Sequence, residues 1–470
     1  MEPVDIEQVE SWDRNLILHP GVKKADYEPQ LVDRAEGSWL VMADGTRLLD
    51  FHSQYACTGV GHGHPSVRAA LHEAVDRLDH VAELMTAESR ARASHLLLKG
   101  TMPESGWAGS VRFTCSGSEA VEVAFLLARL RTGRPLVLTR QTAFHGWTTG
   151  AGSATTIPYM NNLFIDSEEV VHRPAPDPSV RIAPSAYCER CALGESDEHC
   201  REPDGTLTCV AETEKMIRSL GVENVAAYMT EFWCGAAGYL VHEDYPRQIR
   251  EMTRRLGILL IDDEALSGMG RTGKWWAYEH YEDAEPDLMI SAKGLTSAAV
   301  PCGAVMMSEE IAEYFASGKL HSYSTFSGHP LAMAAVSATI ETMLSESIPE
   351  RVAEMGKKLT AGLERLIAIH PTAQSVRGLG LARALELVRN PVTLERWLPE
   401  DRWWDPSVDP QPELNPSALI AEECLKRGVH LFSFVPNAVT INPPLCLTES
   451  ELDFALGALD EALSVLDEMQ

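Results

Sequence analysis

Short apolar or β-branched runs alternate along this chain with longer amphipathic stretches, so strand and helix signals follow one another through most of its length. Val111-Arg-Phe-Thr-Cys115 reads as a strand ending in a turn of small residues, and Ser118 to Arg131 as the helix after it. Arg134 to Thr139, Val225 to Thr230 and Ile258 to Ile261 have the length of strands buried on both faces. The alternation predicts an α/β architecture with a mainly parallel sheet. From about Glu350 the pattern changes to helices around a short strand set, closed by an amphipathic helix over Glu449 to Met469. Two stretches break the rhythm. Arg173 to Cys209, rich in Pro, Ser, Cys and acids, reads as a surface excursion rather than a core element. Asn390 to Asn415 carries Trp397, Trp403 and Trp404, rings expected to pack over a neighbour, a subunit or a pocket mouth.

Composition narrows the partners. The chain of 470 residues is 45% hydrophobic, enough for a full core, and its 40 Lys plus Arg against 68 Asp plus Glu leave a net charge of −28. Such a surface repels phosphate backbones and anionic membranes, so neither nucleic acid nor a bilayer is expected as a partner. The acidic start lacks the basic and apolar regions of a signal peptide, and no apolar run approaches the roughly 20 residues a bilayer needs. A cytoplasmic location is the expectation. Six of the ten cysteines are scattered singly and read as small core residues. Cys188-x-x-Cys191, Cys200 and Cys209, with His199 beside them, form a candidate metal loop for zinc or an iron–sulfur cluster, against the alternative of reduced or redox-active thiols.

Four segments could carry chemistry together. Thr114-Cys-Ser-Gly-Ser-Glu-Ala-Val-Glu122 places Ser116, Gly117 and Ser118 at the start of a helix, where N–H groups and the dipole favour a phosphate, although an ordinary Ser cap reads the same way. Gly257-Ile-Leu-Leu-Ile-Asp-Asp-Glu264 delivers carboxylates at the end of an apolar strand, the edge of an α/β sheet where ligands sit. Lys293 follows the apolar run Leu288-Met-Ile-Ser-Ala292; an amine there can condense with an aldehyde, or be a plain surface charge. Phe144-His-Gly146 offers a ring able to lie against a planar heterocycle, or a core Phe. An acid, a phosphate cradle, an amine and a flat ring are the supports that pyridoxal phosphate requires.

With these residues in view the chain resembles the class III (omega-type) aminotransferases, from about Gly37 to the C-terminus. The likeness is carried in family order by Asp44-Gly-Thr-Arg-Leu-Leu-Asp-Phe51, Gly61-His-Gly-His-Pro65, Ser116-Gly-Ser-Glu-Ala-Val-Glu122, Phe144-His-Gly146, Asp263-Glu264 running into Gly268-Met-Gly-Arg-Thr-Gly273, Ala292-Lys-Gly-Leu295, Ser324-Thr-Phe-Ser-Gly-His-Pro330, Arg377-Gly-Leu-Gly-Leu381 and Pro443-Pro-Leu445. The resemblance implies the pyridoxal-phosphate fold type I: a large domain with a mainly parallel seven-stranded sheet over residues 66–345, including the Cys-rich excursion at about 183–210. A smaller α+β domain would span 346–470, with residues 1–65 contributing to it. It implies Lys293 as the lysine that carries the cofactor, Asp263 as partner of the pyridine nitrogen, and Phe144 and His145 beside the cofactor. Ser116, Gly117 and Ser118 would form the phosphate loop. Thr325 matches the threonine that reaches the phosphate from the other subunit, hence a homodimer with shared sites. Tyr55 and Glu231 fall near the substrate.

The implied reaction is transfer of an amino group from an omega-amino acid or primary amine to a keto acid by a ping-pong cycle. Racemisation or decarboxylating transamination is the alternative, and a non-enzymatic metal scaffold a remote one. The sequence departs from the family pattern in three places. Ala265-Leu-Ser-Gly268 lacks the glutamine many relatives carry, which favours the branch using pyruvate. Leu431 to Pro436 lacks the arginine with which many pyruvate users bind a carboxylate, and Phe232 replaces the proline that follows the glutamate at position 231. Phe432 or Phe434 with Tyr55 would instead make an apolar pocket wall.

Overall fold

In the computed structural model, which describes residues 5–102, 106–157, 162–165, 170–172, 176–188, 191, 193, 200–398, 415–432 and 435–469, the apolar runs become the strands of one sheet. They are β1 (Ala108–Thr114), β2 (Leu136–Arg140), β3 (Val180–Ala183), β4 (Val225–Thr230), β5 (Leu259–Asp263), β6 (Leu288–Ser291) and β7 (Gly303–Ser308). Their spatial order is β1-β7-β6-β5-β4-β2-β3. Only β7 runs against its neighbours, so the other six strands end along one edge. Every residue of β4 and of β6 is buried, which is why these strands read as unbroken apolar runs.

The helix Gly117–Thr132 starts at Ser116, whose hydroxyl accepts the Glu119 N–H at 3.2 Å, and stops at Gly133, where φ is +69°. Its face of Ala120, Val121, Ala124, Phe125, Leu127 and Ala128 packs on the sheet. The small residues let the helix approach closely, and Phe125 alone contributes roughly 1.5–3 kcal/mol by leaving water.

Chain termini meet in a second sheet. Val32–Glu36, Trp39–Met42 and Arg47–Asp50 are joined by Val429–His430, which pairs parallel to Arg47–Asp50 with His430 opposite Asp50. Ala373–Leu379, Ala382–Leu387 and Ala438–Ile441 form an antiparallel sheet, with the helices Ile348–Ile369 and Glu449–Asp467 in the same C-terminal part.

One expectation is corrected. Strand β3 lies inside the stretch read as a surface excursion, and Ala183, Ala186, Tyr187 and Cys200 within that stretch are buried. The strand is short and lies at the sheet edge, so Arg181 interrupts its apolar pattern and hides it. Trp397 is buried, with the Arg389 guanidinium 5.9 Å from its ring; Trp403, Trp404, Phe434 and His199 lie outside the described residues. No helix among the described residues is long and apolar enough to cross a membrane.

Candidate active site

The sheet edge at which six strands end gathers the predicted groups. Asp263 closes β5 and is 6% exposed. Its Oδ1 accepts the Ala265 N–H at 3.1 Å, and its Oδ2 lies 2.7 Å from Nδ1 of His145, 118 residues earlier. An ionised carboxylate can only accept, so Nδ1 carries the hydrogen. The imidazole is held in turn by its backbone: Thr155 Oγ1 accepts the N–H groups of His145 (2.9 Å) and Gly146 (3.1 Å).

Lys293 opens a short 3-10 turn immediately after β6, at φ +38°. A non-glycine residue there stores about 1–3 kcal/mol of strain, which the packing around it must offset. Segment 57–60 supplies part of that packing: Ser297 Oγ accepts the Val60 N–H at 3.0 Å. Burial pushes the Cys57 thiol up while the Lys293 ammonium draws it down, which places thiol and amine within each other's field.

Ser116, Gly117 and Ser118 form the helix start beside this amine. The N–H groups of Gly117 and Ser118 have no carbonyl one turn earlier to bond, as at any helix N-terminus. Gly146 is folded onto the same spot at φ +123°, and Ser118 Oγ accepts the Trp147 N–H at 3.2 Å. A Cβ on Gly146 would lie 2.2 Å from Ser118 Oγ, and one on Gly117 would lie 3.3 Å from the Ala292 Cβ. Glycine is therefore required to bring Phe144, the helix start and the lysine strand together. Phe144 is half-buried with Trp147 edge-on to it at 5.8 Å. These residues fit pyridoxal phosphate: a cradle of free N–H groups, a paired carboxylate, a partly accessible amine and a ring.

Glu231 and Thr325 stand in contrasting surroundings. Glu231 is 5% exposed, and its Oε1 accepts the Phe144 N–H at 3.1 Å. Thr325 is exposed on a segment tied to the helix start by Ser324 Oγ, which donates to Glu119 Oε1 at 2.8 Å. Tyr55 does stand in the open, stacked on Phe432 with centroids 4.5 Å apart, and Ser53 to Ala56 all have positive φ. Beneath that pair Asp50 is held between His62 (2.8 Å) and His430 (3.6 Å), which keep its carboxyl well below the usual range against the opposing effect of burial. Cys188, Cys191, Cys200 and Cys209 line one small cavity, yet among the described residues no three His, Cys, Asp or Glu side chains form a group able to hold a metal ion. Burial and then the neighbouring thiols push Cys209 up to about 12, so it stays protonated.

Two residues of the site, Thr155 and Arg140, were not picked out from the sequence, and of the carboxylates at the end of β5, Asp262 and Glu264 lie on the face opposite Asp263. Arg140 had a signal, since it ends the apolar run of β2 as Asp263 ends that of β5.

The family model for class-III aminotransferases matches residues 22–463. A putrescine–pyruvate aminotransferase of Pseudomonas aeruginosa is 31% identical over 90% of this chain and 88% of its own. Among solved structures, an S-selective transaminase from Arthrobacter sp. with alanine bound superposes with a TM-score of 0.93 at 34% identity, covering 100% of both chains. Taurine:2-oxoglutarate aminotransferase from Bifidobacterium kashiwanohense, in complex with PLP and glutamate, does so at 0.86 and 29%, covering 100% of this chain and 99% of that one.

Proposed function

The chain belongs to the class-III aminotransferases, enzymes of the pyridoxal-phosphate fold type I, and from that premise we propose that it moves an amino group from an omega-amino acid or primary amine to pyruvate in a ping-pong cycle. The observation that carries this reading is the wall made by Tyr55 and Phe432. The two stacked rings are apolar and planar, and they suit an uncharged donor side chain. The putrescine–pyruvate relative and the alanine-bound neighbour support pyruvate, since alanine is its aminated form.

When bound, pyridoxal phosphate supplies an electron sink that stabilises negative charge on the carbon losing its proton. The chain's own residues do the rest. Lys293 would hold the cofactor, and its amine would take the proton from the donor carbon and return it. Asp263 would hold a proton at the ring nitrogen, with His145 keeping that carboxylate aimed. Phe144 would lie against the ring, the Gly117 and Ser118 N–H groups would bind the phosphate, and Tyr55 with Phe432 would flank the donor side chain.

The same reading makes the enzyme a homodimer with shared sites. Thr325 is exposed between Tyr323 and Phe326, themselves 65% and 57% exposed, an apolar stretch that suits cover by a second copy. All ten cysteines are free thiols, which suits the cytosol.

Purified holoenzyme tested against a matrix of amines and keto acids decides the matter. An amine given without keto acid should convert the cofactor stoichiometrically to its aminated form, and pyruvate should restore it. Retention of the aldehyde form while an amino acid loses its optical rotation would establish the racemase alternative instead.

A further inference from the structure

Residues Ala143 to Gly146 run between β2 and the helix Thr149–Ala154 without regular structure, and side chains hold them in place. Four consecutive N–H groups are each accepted by a side-chain oxygen: Ala143 by Thr156 Oγ1 (2.8 Å), Phe144 by Glu231 Oε1 (3.1 Å), and His145 and Gly146 by Thr155 Oγ1. Three of these acceptor contacts come from a neighbouring threonine pair. The fourth comes from a carboxylate at the end of β4, the strand beside the one that carries Asp263.

A carboxylate this deeply buried is costly unless its charge is met. Burial raises the Glu231 pKa, and the neighbouring His145 and Arg140 oppose the rise. Arg140, fully buried at the end of β2, gives its Nε to Thr230 Oγ1 (3.0 Å) and an Nη2 hydrogen to the Glu231 carbonyl, and Nη2 lies 3.9 Å from Glu231 Oε1. Its Nη1 has no hydrogen-bond partner among the described residues, so the cation is not spent on another anion. The ends of three adjacent strands, β2, β4 and β5, thus act on one dipeptide. Phe144 provides the ring and His145 the partner of Asp263, and fixing the Phe144 N–H fixes both.

We propose that Glu231, backed by Arg140, is a positioning residue of this site: it holds the Phe144–His145 backbone so that Nδ1 of His145 stays on Asp263 and the Phe144 ring stays against the cofactor. The inference rests on the pyridoxal-phosphate reading above.

The test compares wild-type holoenzyme with Glu231→Ala, Glu231→Asp and Glu231→Gln. Three quantities are read: the pH midpoint of the cofactor's visible absorbance, the cofactor dissociation constant, and kcat and KM for the best amine. Removing or shortening the acceptor should move the absorbance midpoint, weaken cofactor binding by about tenfold and lower kcat by roughly ten- to a hundredfold, with KM within about twofold, because small misplacements of reacting groups cost on that scale. Gln, whose amide oxygen still accepts the N–H, should restore most of all three. If Glu231→Ala does not fold, Glu231→Asp and Glu231→Gln carry the comparison alone. An unmoved midpoint and unchanged affinity in Ala or Asp overturns the proposal, and so does a rise in KM alone, which would return Glu231 to the substrate. A wild-type protein without visible absorbance or cofactor binding would instead overturn the underlying reading.

Discussion

The two faces of one strand end handle buried carboxylates in opposite ways. Along β5 the side chains alternate, so Asp263 points to one face while Asp262 and Glu264 point to the other. Asp263 meets the His145 imidazole and a backbone N–H. Asp262 is 0% exposed, and its oxygens find no N–H or hydroxyl donor among the described residues. It has Glu264, with which it shares a hydrogen bond, and Glu264 takes the Tyr278 N–H (2.9 Å) and the Ser267 hydroxyl (2.6 Å). Burial first, and then the charge of Glu264, drives the Asp262 pKa far up. What stands opposite a carboxylate, rather than its depth, decides whether it serves as a charge or as packing.

That contrast breaks most severely on the Asp263 face. Asp263→Asn keeps the shape and removes the charge, and kcat should fall at least about a hundredfold, or ~2.7 kcal/mol of barrier. Lys293→Ala should go further and abolish both turnover and the visible absorbance while leaving the melting temperature near that of wild type. Steady-state kinetics and a spectrum check both; an Asp263→Asn variant within a few-fold of wild type would equate the two faces and end the distinction.

A smaller effect tests how tightly the reactive face is built. Gly146→Ala would place a Cβ 2.2 Å from Ser118 Oγ and force a non-glycine residue to φ +123°. At about 1–3 kcal/mol for such strain, cofactor affinity should drop by roughly ten- to a hundredfold, read by titrating apoenzyme. Unaltered affinity would mean that the loop and the helix start do not form one cradle.

How much of this was legible beforehand follows from the same geometry. An apolar run that ends in a polar residue announces a strand end, which is why Asp263, Lys293 and the helix start at Ser116 could be read directly from the chain. Strand ends say nothing about which strands are neighbours. The meeting of His145 with Asp263 across 118 positions, and of Glu231 with Phe144 across 87, depends on sheet order. For that reason the sequence places Glu231 near the substrate by family resemblance alone, while the fold buries it with its carboxylate on the Phe144 N–H. The triple Asp262-Asp263-Glu264 shows the limit most clearly: period two tells which residues share a face, but only the packing of the helix Gly117–Thr132 on one side tells which face faces chemistry. Strand β3 escaped notice because a four-residue edge strand carries too few apolar positions to stand out from a loop.

The mildest variant is the one that sharpens the comparison most. Asp262→Asn replaces a neutral acid by a neutral amide of the same shape, whose NH₂ can still donate to Glu264. Activity should stay within about threefold of wild type, under ~1 kcal/mol of barrier. Stability should change in its dependence on pH. Below the unfolded carboxyl value near 3.9, both states of the wild-type chain hold the Asp262 proton and its contribution is complete. Above it the folded chain keeps a proton that the unfolded chain releases, so stability is lost as pH rises, by up to about 1.4 kcal/mol per unit until the folded group itself titrates. The asparagine variant has no such proton, and its melting temperature should fall less between pH 4.5 and 8 than that of wild type. A slope equal to wild type would show that Asp262 is ionised in the folded chain, and a loss of activity as deep as that of Asp263→Asn would show that the proton behind the strand belongs to the reaction after all.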